Sequence, residues 1–300
     1  MSRQTVEIAG KRLSLSNLEK EFYPACGFTK AHVLEYYRRA APFILPHLQG
    51  RALTLKRYPH GVEEGFFFEK RCPDHRPAWV QTAEVHHDAE PMTVCLVNDL
   101  ETLIWVANLA SLELHVPLAR AATPETPDSV VFDLDPGEPA DVLTCARVAF
   151  ILRELFSRLR LASLVKTSGR KGLHVFVPLN RPAITFDETK AFSRAVALVL
   201  EKNYPHLVTA KMAKEQRKGR VFINWSQNDA AKTMISAYSL RALEKPLVSF
   251  PLAWEELELL AEIGDAEKLR ISPAEAVNRA EKTGDLFYEA LARKQRLPQL

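Results

Sequence analysis

Apolar and polar positions change period several times along the 300-residue chain, and each change marks an element. Residues 4–14 alternate weakly around Gly10 (Thr5-Val6-Glu7-Ile8, then Lys11-Arg12-Leu13-Ser14-Leu15) and predict a short hairpin. Thr29 is placed to cap a long amphipathic helix, whose stripe runs through Val33, Leu34, Tyr37, Ala41, Ile44, Leu45 and Leu48 to Gly50. A strand follows at 53–59, then an aromatic run at 66–70. Two strands lie within 81–96, joined by a turn that holds His86 and His87. Asn98-Asp99 opens a helix to Leu109, and Leu112–Pro117 is a short strand in which a lone histidine would ordinarily be structural. The run Val130-Val131-Phe132-Asp133-Leu134-Asp135 is a strand stopped by Pro136-Gly137. A helix over 139–161, strands at 164–166 and 173–178, and a capping box at Thr185 and Glu188 come next; the box opens a helix to about Lys202. A strand at 221–225 precedes C-terminal helices at 252–262, 273–282 (capped by Ser272, with Pro273 at its start) and 285–294. Strands and helices alternate in no repeating order, which predicts an α/β (α+β) fold with mixed or antiparallel central sheets flanked by helices.

The formal charge is only +3, so a nucleic-acid surface would have to come from local clustering, such as Lys211, Lys214, Arg217, Lys218 and Arg220. No apolar run reaches the length of a membrane span, and no apolar leader opens the chain; the expected setting is the cytoplasm. The four cysteines, Cys26, Cys72, Cys95 and Cys145, form no C-x-x-C pair and are expected to be reduced. Cys72 and His75 have the spacing of half a zinc site with no second half.

Side chains alternate along a strand, so Asp133 and Asp135 share one side. Two carboxylates at a sheet edge either hold a divalent cation or simply end a strand at a turn. Ser168-Gly169-Arg170-Lys171-Gly172-Leu173-His174 is a tight donor-rich turn between two strands, able to hold phosphate oxygens in a nest, and it is not a P-loop. With Lys232 and Arg241 further on, these pieces amount to equipment for phosphoryl transfer from a nucleoside triphosphate. Lys20 and Lys30, on the loop before the first long helix and in its first turn, form either an anion pocket or two solvated lysines. Phe66, Phe67 and Phe68 cannot all face one core from a strand; either some are free to stack on bases or the strand is buried on both faces.

These stretches together resemble the polymerase domain of bacterial ligase D, the primase-polymerase module (archaeo-eukaryotic primase superfamily) of non-homologous end joining. The resemblance runs over nearly the whole chain, through Phe132–Gly137, Thr167–His174, Val221–Asn228 and Ala237–Arg241, with Asn17–Lys20, Leu55–Pro59, Phe67–Lys70 and Leu112–Pro117 also fitting. It implies one catalytic domain over 1–300: DNA-end and template contacts in 1–125, the metal and nucleotide core in 126–250, C-terminal helices in 251–300. It implies a template-directed nucleotidyltransferase that fills or extends broken DNA ends, often preferring ribonucleotides. Asp133 and Asp135 would hold two divalent ions, Mn2+ or Mg2+. Ser168, Lys171, His174, Gln227, Lys232 and Arg241 would hold the NTP or dNTP, with His115 nearby. Lys20 and Lys30 would bind a 5′-phosphate, Phe67 and Phe68 would stack on the template, and Lys56 and Arg57 would meet its backbone. Ku and ligase or nuclease domains are the implied partners, with no membrane role and a nucleoid-associated location. One departure stands out: the family's third metal-binding aspartate is Asn224 here, which implies weaker binding of one ion and slower catalysis. The alternative is therefore a DNA-end and nucleotide binding module of the same fold that extends poorly. A phosphatase of the haloacid dehalogenase type would need threonine where the chain has Gly137.

Overall fold

The computed structural model describes residues 3–87 and 90–298. They form two compact units, each assembled from separate stretches of chain. The first comprises residues up to Ala122 with Thr233–Ser249 and Ser272–Gly284; the second comprises Thr123–Lys232, Phe250–Ile271 and residues from Asp285 onward. The sequential division at 125 and 250 does not coincide with these units, because two later segments return to the first.

The second unit is built on a six-stranded sheet. Its order is Val208–Thr209, Val221–Asn224, Ser129–Pro136, Leu173–Pro178, Leu164–Thr167 and Pro251–Leu252, with the first pair parallel and the other pairs antiparallel. The strand Ser129–Pro136 lies inside it. Phe132 packs on Phe156 of helix Val142–Arg158 and on Phe192 of helix Phe186–Asn203, at ring separations of 5.1 and 6.5 Å. Phe132 and Leu134 are thus buried, while Asp133 and Asp135 emerge on the other face, as a period of two requires. Two glycines permit the close approaches around this strand end. A Cβ on Gly137 would collide with the Arg217 carbonyl, and one on Gly172 with the Leu134 carbonyl. Where strand Val221–Asn224 stops, the buried Asn228 continues the pairing with its side chain. Its Oδ1 accepts from Val131 N at 2.8 Å and its Nδ2 donates to Val131 O at 2.7 Å.

The first unit is built on an antiparallel four-stranded sheet in the order Thr233–Ile235, Ser111–Pro117, Thr54–Arg57, Phe67–Glu69, so the aromatic strand is an edge. Helix Lys30–Leu48, capped by Thr29, buries its predicted stripe apart from Leu45, which is half-buried, and Tyr37 donates from its hydroxyl to Leu112 O at 2.7 Å. Helix Leu100–Asn108 starts at Asp99, whose side chain accepts from Thr102 N. The hairpin Arg3–Ile8 with Lys11–Ser16 forms as expected.

Three expectations are corrected. His86 and His87 belong to strand Thr82–His87, which pairs with Glu90–Cys95, so they are not in the turn; residues 88 and 89 lie outside the described residues. The helix expected over 285–294 contracts to Glu289–Ala292. Cys72 and Cys95 are joined in a disulfide, with Cα atoms 4.9 Å apart, and are not free thiols. Cys72 N donates to Thr93 O at 2.8 Å, and this contact brings the loop carrying Cys72 alongside strand Glu90–Cys95. Cys26 and Cys145 are free. Among the described residues no helix is long and apolar enough to cross a membrane.

Candidate active site and nucleic-acid surface

The register of the six-stranded sheet sets four polar side chains in one row across adjacent strands: Asn224, Asp133, His174 and Lys166. Each touches the next. Asn224 Nδ2 donates to Asp133 Oδ2 at 3.2 Å, His174 Nε2 lies 3.4 Å from Asp133 Oδ1, and the buried Lys166 Nζ meets His174 Nδ1 at 2.9 Å. Lys166 can only donate, so Nδ1 accepts and the imidazole carries its proton on Nε2, toward Asp133. The row continues beyond Asn224. Its Oδ1 accepts from Ser226 Oγ at 2.8 Å, and Ser226 Oγ accepts from Lys232 Nζ at 2.7 Å.

The two aspartates feel opposite fields. Burial alone would raise the Asp133 pKa, but the hydrogen bonds from His174 and Asn224 and the charge of Lys166 outweigh it and hold the carboxyl below the usual range. Asp135 is pushed up, first by burial and then by the charge of Asp133, against the opposing Arg217 and Lys171. Arg217 Nη1 stands 3.1 Å from Asp135 Oδ2, with its guanidinium 3.9 Å from the Phe222 ring centroid. Two carboxylates on one face, one of them held high by burial and by the other's charge, form a donor set that fits a hard divalent cation. No third carboxylate completes it: among the described residues no group of three or more His, Cys, Asp or Glu is placed to hold a metal. That also leaves Cys72 and His75 without a zinc site.

In the glycine turn, Ser168 Oγ accepts from Arg170 N and Gly172 N at 3.2 and 3.1 Å, so this hydroxyl shapes the turn that was expected to receive phosphate. Lys171 is exposed and pairs with Glu138 at 2.8 Å. Gln227 sits in the short helical turn Trp225–Gln227, directly beyond Asn224. Ser168, Lys171, His174, Gln227 and Lys232 all belong to the second unit.

The first unit carries a separate cluster around Glu113, a residue the sequence reading passed over. Its carboxylate is buried and meets His115 Nε2 at 2.9 Å, Arg241 Nη1 at 3.3 Å and Lys56 Nζ at 3.7 Å, and accepts from Ala242 N at 3.0 Å. Burial opposes its charge, but the His115 hydrogen bond and three neighbouring cationic groups bring its pKa down to about 2. Burial lowers the His115 pKa in turn, with Glu113 opposing. His115 and Arg241, both expected near a nucleotide, are thus held by one carboxylate.

Lys30 is buried at the start of its helix, with Nζ 3.4 Å from Ser16 Oγ, and Lys30 N donates to Lys20 O at 2.8 Å. Burial, then the charges of Lys20 and Arg57, push the Lys30 ammonium down to about 8. A lysine destabilised by cationic neighbours gains from an incoming anion. Lys20 Nζ itself donates to Pro59 O at 2.7 Å.

On the edge strand and just before it the three phenylalanines stay open: Phe66 is 51%, Phe67 43% and Phe68 57% exposed. The reading of a strand buried on both faces does not hold. Lys56 and Arg57, expected on a nucleic-acid backbone, are each paired to a carboxylate of their own sheet, Glu113 and Glu69 respectively.

A mixed α/β architecture thus carries paired aspartates on one face of its six-stranded sheet. A sequence model of the LigD primase-polymerase domain matches residues 29–287, and the chain belongs to that family. It is 41% identical over 279 residues to the multifunctional non-homologous end joining protein LigD of Mycolicibacterium smegmatis, covering 92% of this chain and 36% of the relative. It is 32% identical over 247 residues to the bifunctional LigD of Bacillus subtilis, covering 82% of this chain and 40% of the relative. The chain thus spans a little over a third of these curated relatives. Among solved structures it is similar to the polymerase domain of Mycobacterium tuberculosis Ligase D in complex with DNA, with a TM-score of 0.86, 36% identity, and coverage of 95% of this chain and 99% of that one.

Proposed function

We propose that the chain is a template-directed nucleotidyltransferase that fills in or extends broken DNA ends, preferring ribonucleotides. The observation that carries this reading is the row Asn224, Asp133, His174 and Lys166, with Asp135 one step along the same face. Asp133 and Asp135 are the residues that would hold divalent ions, manganese or magnesium. Bound there, such ions would supply Lewis-acid activation of a primer hydroxyl and neutralise charge on the transferring phosphate. The protein's own part is placement. Lys166 fixes the His174 tautomer, and His174 presents its Nε2 proton beside the carboxylate. Lys171, Gln227 and Lys232 would meet the triphosphate, with Ser168 shaping the turn; His115 and Arg241 are assigned to the nucleotide by resemblance. Ku, ligase and nuclease domains are proposed partners on the same footing, in a cytoplasmic, nucleoid-associated setting.

The test is primer extension on a gapped duplex carrying a 5′-phosphate, with manganese and ribonucleotides. Templated addition is the expected result; none with either metal or either sugar would reject the reading. Asn224 favours a second reading, in which the domain captures ends and nucleotides but extends them poorly.

Lys20 and Lys30 make a further expectation. The parent should bind 5′-phosphorylated ends more tightly than unphosphorylated ones at pH 7, and the Lys20→Ala, Lys30→Ala variant should lose that preference. Because Lys30 sheds its proton at about 8, the parent's preference should decline between pH 7 and 9 while the phosphate keeps its charge. Equal binding of the two ends by the parent at pH 7 would remove the pocket.

A further inference from the structure

We propose that Cys72 and Cys95 form a reversible thiol–disulfide site, opened by a low-molecular-weight thiol, whose closed state clamps a separate hairpin and tightens binding of a DNA end. The inference rests on the DNA-end reading above and adds a regulation to it. Strands Thr82–His87 and Glu90–Cys95 pair with each other and join neither large sheet. Among their described residues only Val94 and Cys95 are buried, and a lone two-stranded hairpin with so little core is marginal in water. Its ties lie at its base. Asn98 Nδ2 donates to Gln81 Oε1 at 2.7 Å, just before the first strand, and Cys72 N donates to Thr93 O at 2.8 Å. The Cys72–Cys95 bond is the covalent tie, across a sequence separation of 23. It fastens the second strand to the loop that leaves the aromatic strand Phe67–Glu69 through Lys70 and Arg71, both exposed. Closing it removes conformational freedom from hairpin and loop alike.

Access decides whether the bond can exchange. Both cysteines are buried, at 4% and 5% exposure, but Cys72 also lines a cleft of about 320 Å³ with Phe67, Phe68, Lys70 and Arg71. A thiolate entering there is drawn by the two cations. It attacks the Cys72 sulfur, forming a mixed disulfide and releasing Cys95 as a thiolate, which takes a proton from water. A second small thiolate then attacks the mixed disulfide at the small molecule's sulfur, and Cys72 leaves as a thiolate that is protonated in turn. Two small thiols become one small disulfide as the protein disulfide becomes two thiols. The same steps reversed, with the oxidised small molecule as reactant, close the clamp. In the open state the loop carrying Lys70 and Arg71 must be ordered again whenever DNA binds, which weakens affinity.

The experiment uses the full chain carrying Cys26→Ser, which removes the exposed free thiol, and a gapped, 5′-phosphorylated duplex. The protein is equilibrated with excess oxidised or reduced glutathione. Alkylation of the native protein, read by mass, should find no reactive thiol in the oxidised sample and two in the reduced one, with the buried Cys145 spared. Hydrogen exchange across 82–95 should quicken on reduction, and affinity for the duplex should fall about fivefold, the order set by reordering one or two side chains. Cys95→Ala should bind like the reduced protein in either glutathione state. If the native protein stays closed at a thiol excess that opens the unfolded chain, the bond is a fixed staple and the proposal fails. It fails equally if the clamp opens and affinity is unchanged, and the DNA-end reading then stands. If neither state binds the duplex, the DNA-end reading fails and this inference falls with it.

Discussion

Asp135→Asn is expected to abolish primer extension and to raise the thermal midpoint of the metal-free protein, whereas Asp133→Asn is expected to abolish extension and lower it. The loss of extension should exceed a hundredfold in both, since changes merely behind a metal ligand cost about 10–100-fold. The stabilities diverge because the two carboxyls are displaced in opposite directions. Asp135 holds its proton more tightly folded than unfolded, so its contribution to stability falls as pH rises from the unfolded pKa through the folded one. At neutral pH its charge is a cost, and asparagine removes that cost while still offering an oxygen to Arg217. The gain should be about 1–2 °C, matching a fraction of a kcal/mol in a chain of this size. It should vanish as pH is lowered through the aspartate range. Asp133 has the opposite sign. Its depressed pKa contributes stability above the unfolded value, lost as pH falls through the folded one. An amide there would set an N–H against one of two donors, His174 or Asn224. Melting curves in chelator at pH 7, beside extension assays, measure both. Equal shifts for the two variants would show that their fields do not differ as described.

What could be read from the sequence was whatever depends on neighbours in the chain. Asp133 and Asp135 share a face because strands have a period of two, and Phe66, Phe67 and Phe68 were recognisable because three bulky residues in a row cannot all point inward. Thr29, Asp99, Thr185 and Ser272 announced their helices because a cap acts within three residues. The partners of these groups were hidden. Lys166 reaches His174 only through the pairing of Leu164–Thr167 with Leu173–Pro178, and Asn224 reaches Asp133 through a strand that starts 92 residues later. Register is a tertiary property, and no local pattern encodes it. Lys166 left one trace, a cation inside an otherwise apolar strand. Glu113 left a similar trace, an acid between Leu112 and Leu114, overlooked because attention fell on His115. The Cys72–Cys95 pair required knowing that the loop after the aromatic strand returns along Glu90–Cys95.

Asn224→Asp should raise extension about tenfold or more with manganese, and the metal-free protein should become less stable for it. Asn224 now neutralises the row from within: its amide donates to Asp133, and its oxygen takes the hydroxyl of Ser226, which Lys232 holds in place. An aspartate would still accept from Ser226. Toward Asp133, however, it would replace a donor by a second negative charge, about as close as the present 3.2 Å. Without metal that repulsion should lower the melting point. With metal the same charge becomes a ligand, and the melting point should rise by more on adding manganese than in the parent, as tighter binding to the folded state requires. Activity and metal-induced stabilisation are therefore expected to move together. A larger manganese shift without faster extension would place the limit outside the metal site and leave the end-binding reading in force. High extension already present with Asn224 would mean that two carboxylates suffice, with Lys232 and Ser226 keeping the amide in a role the third acid fills elsewhere.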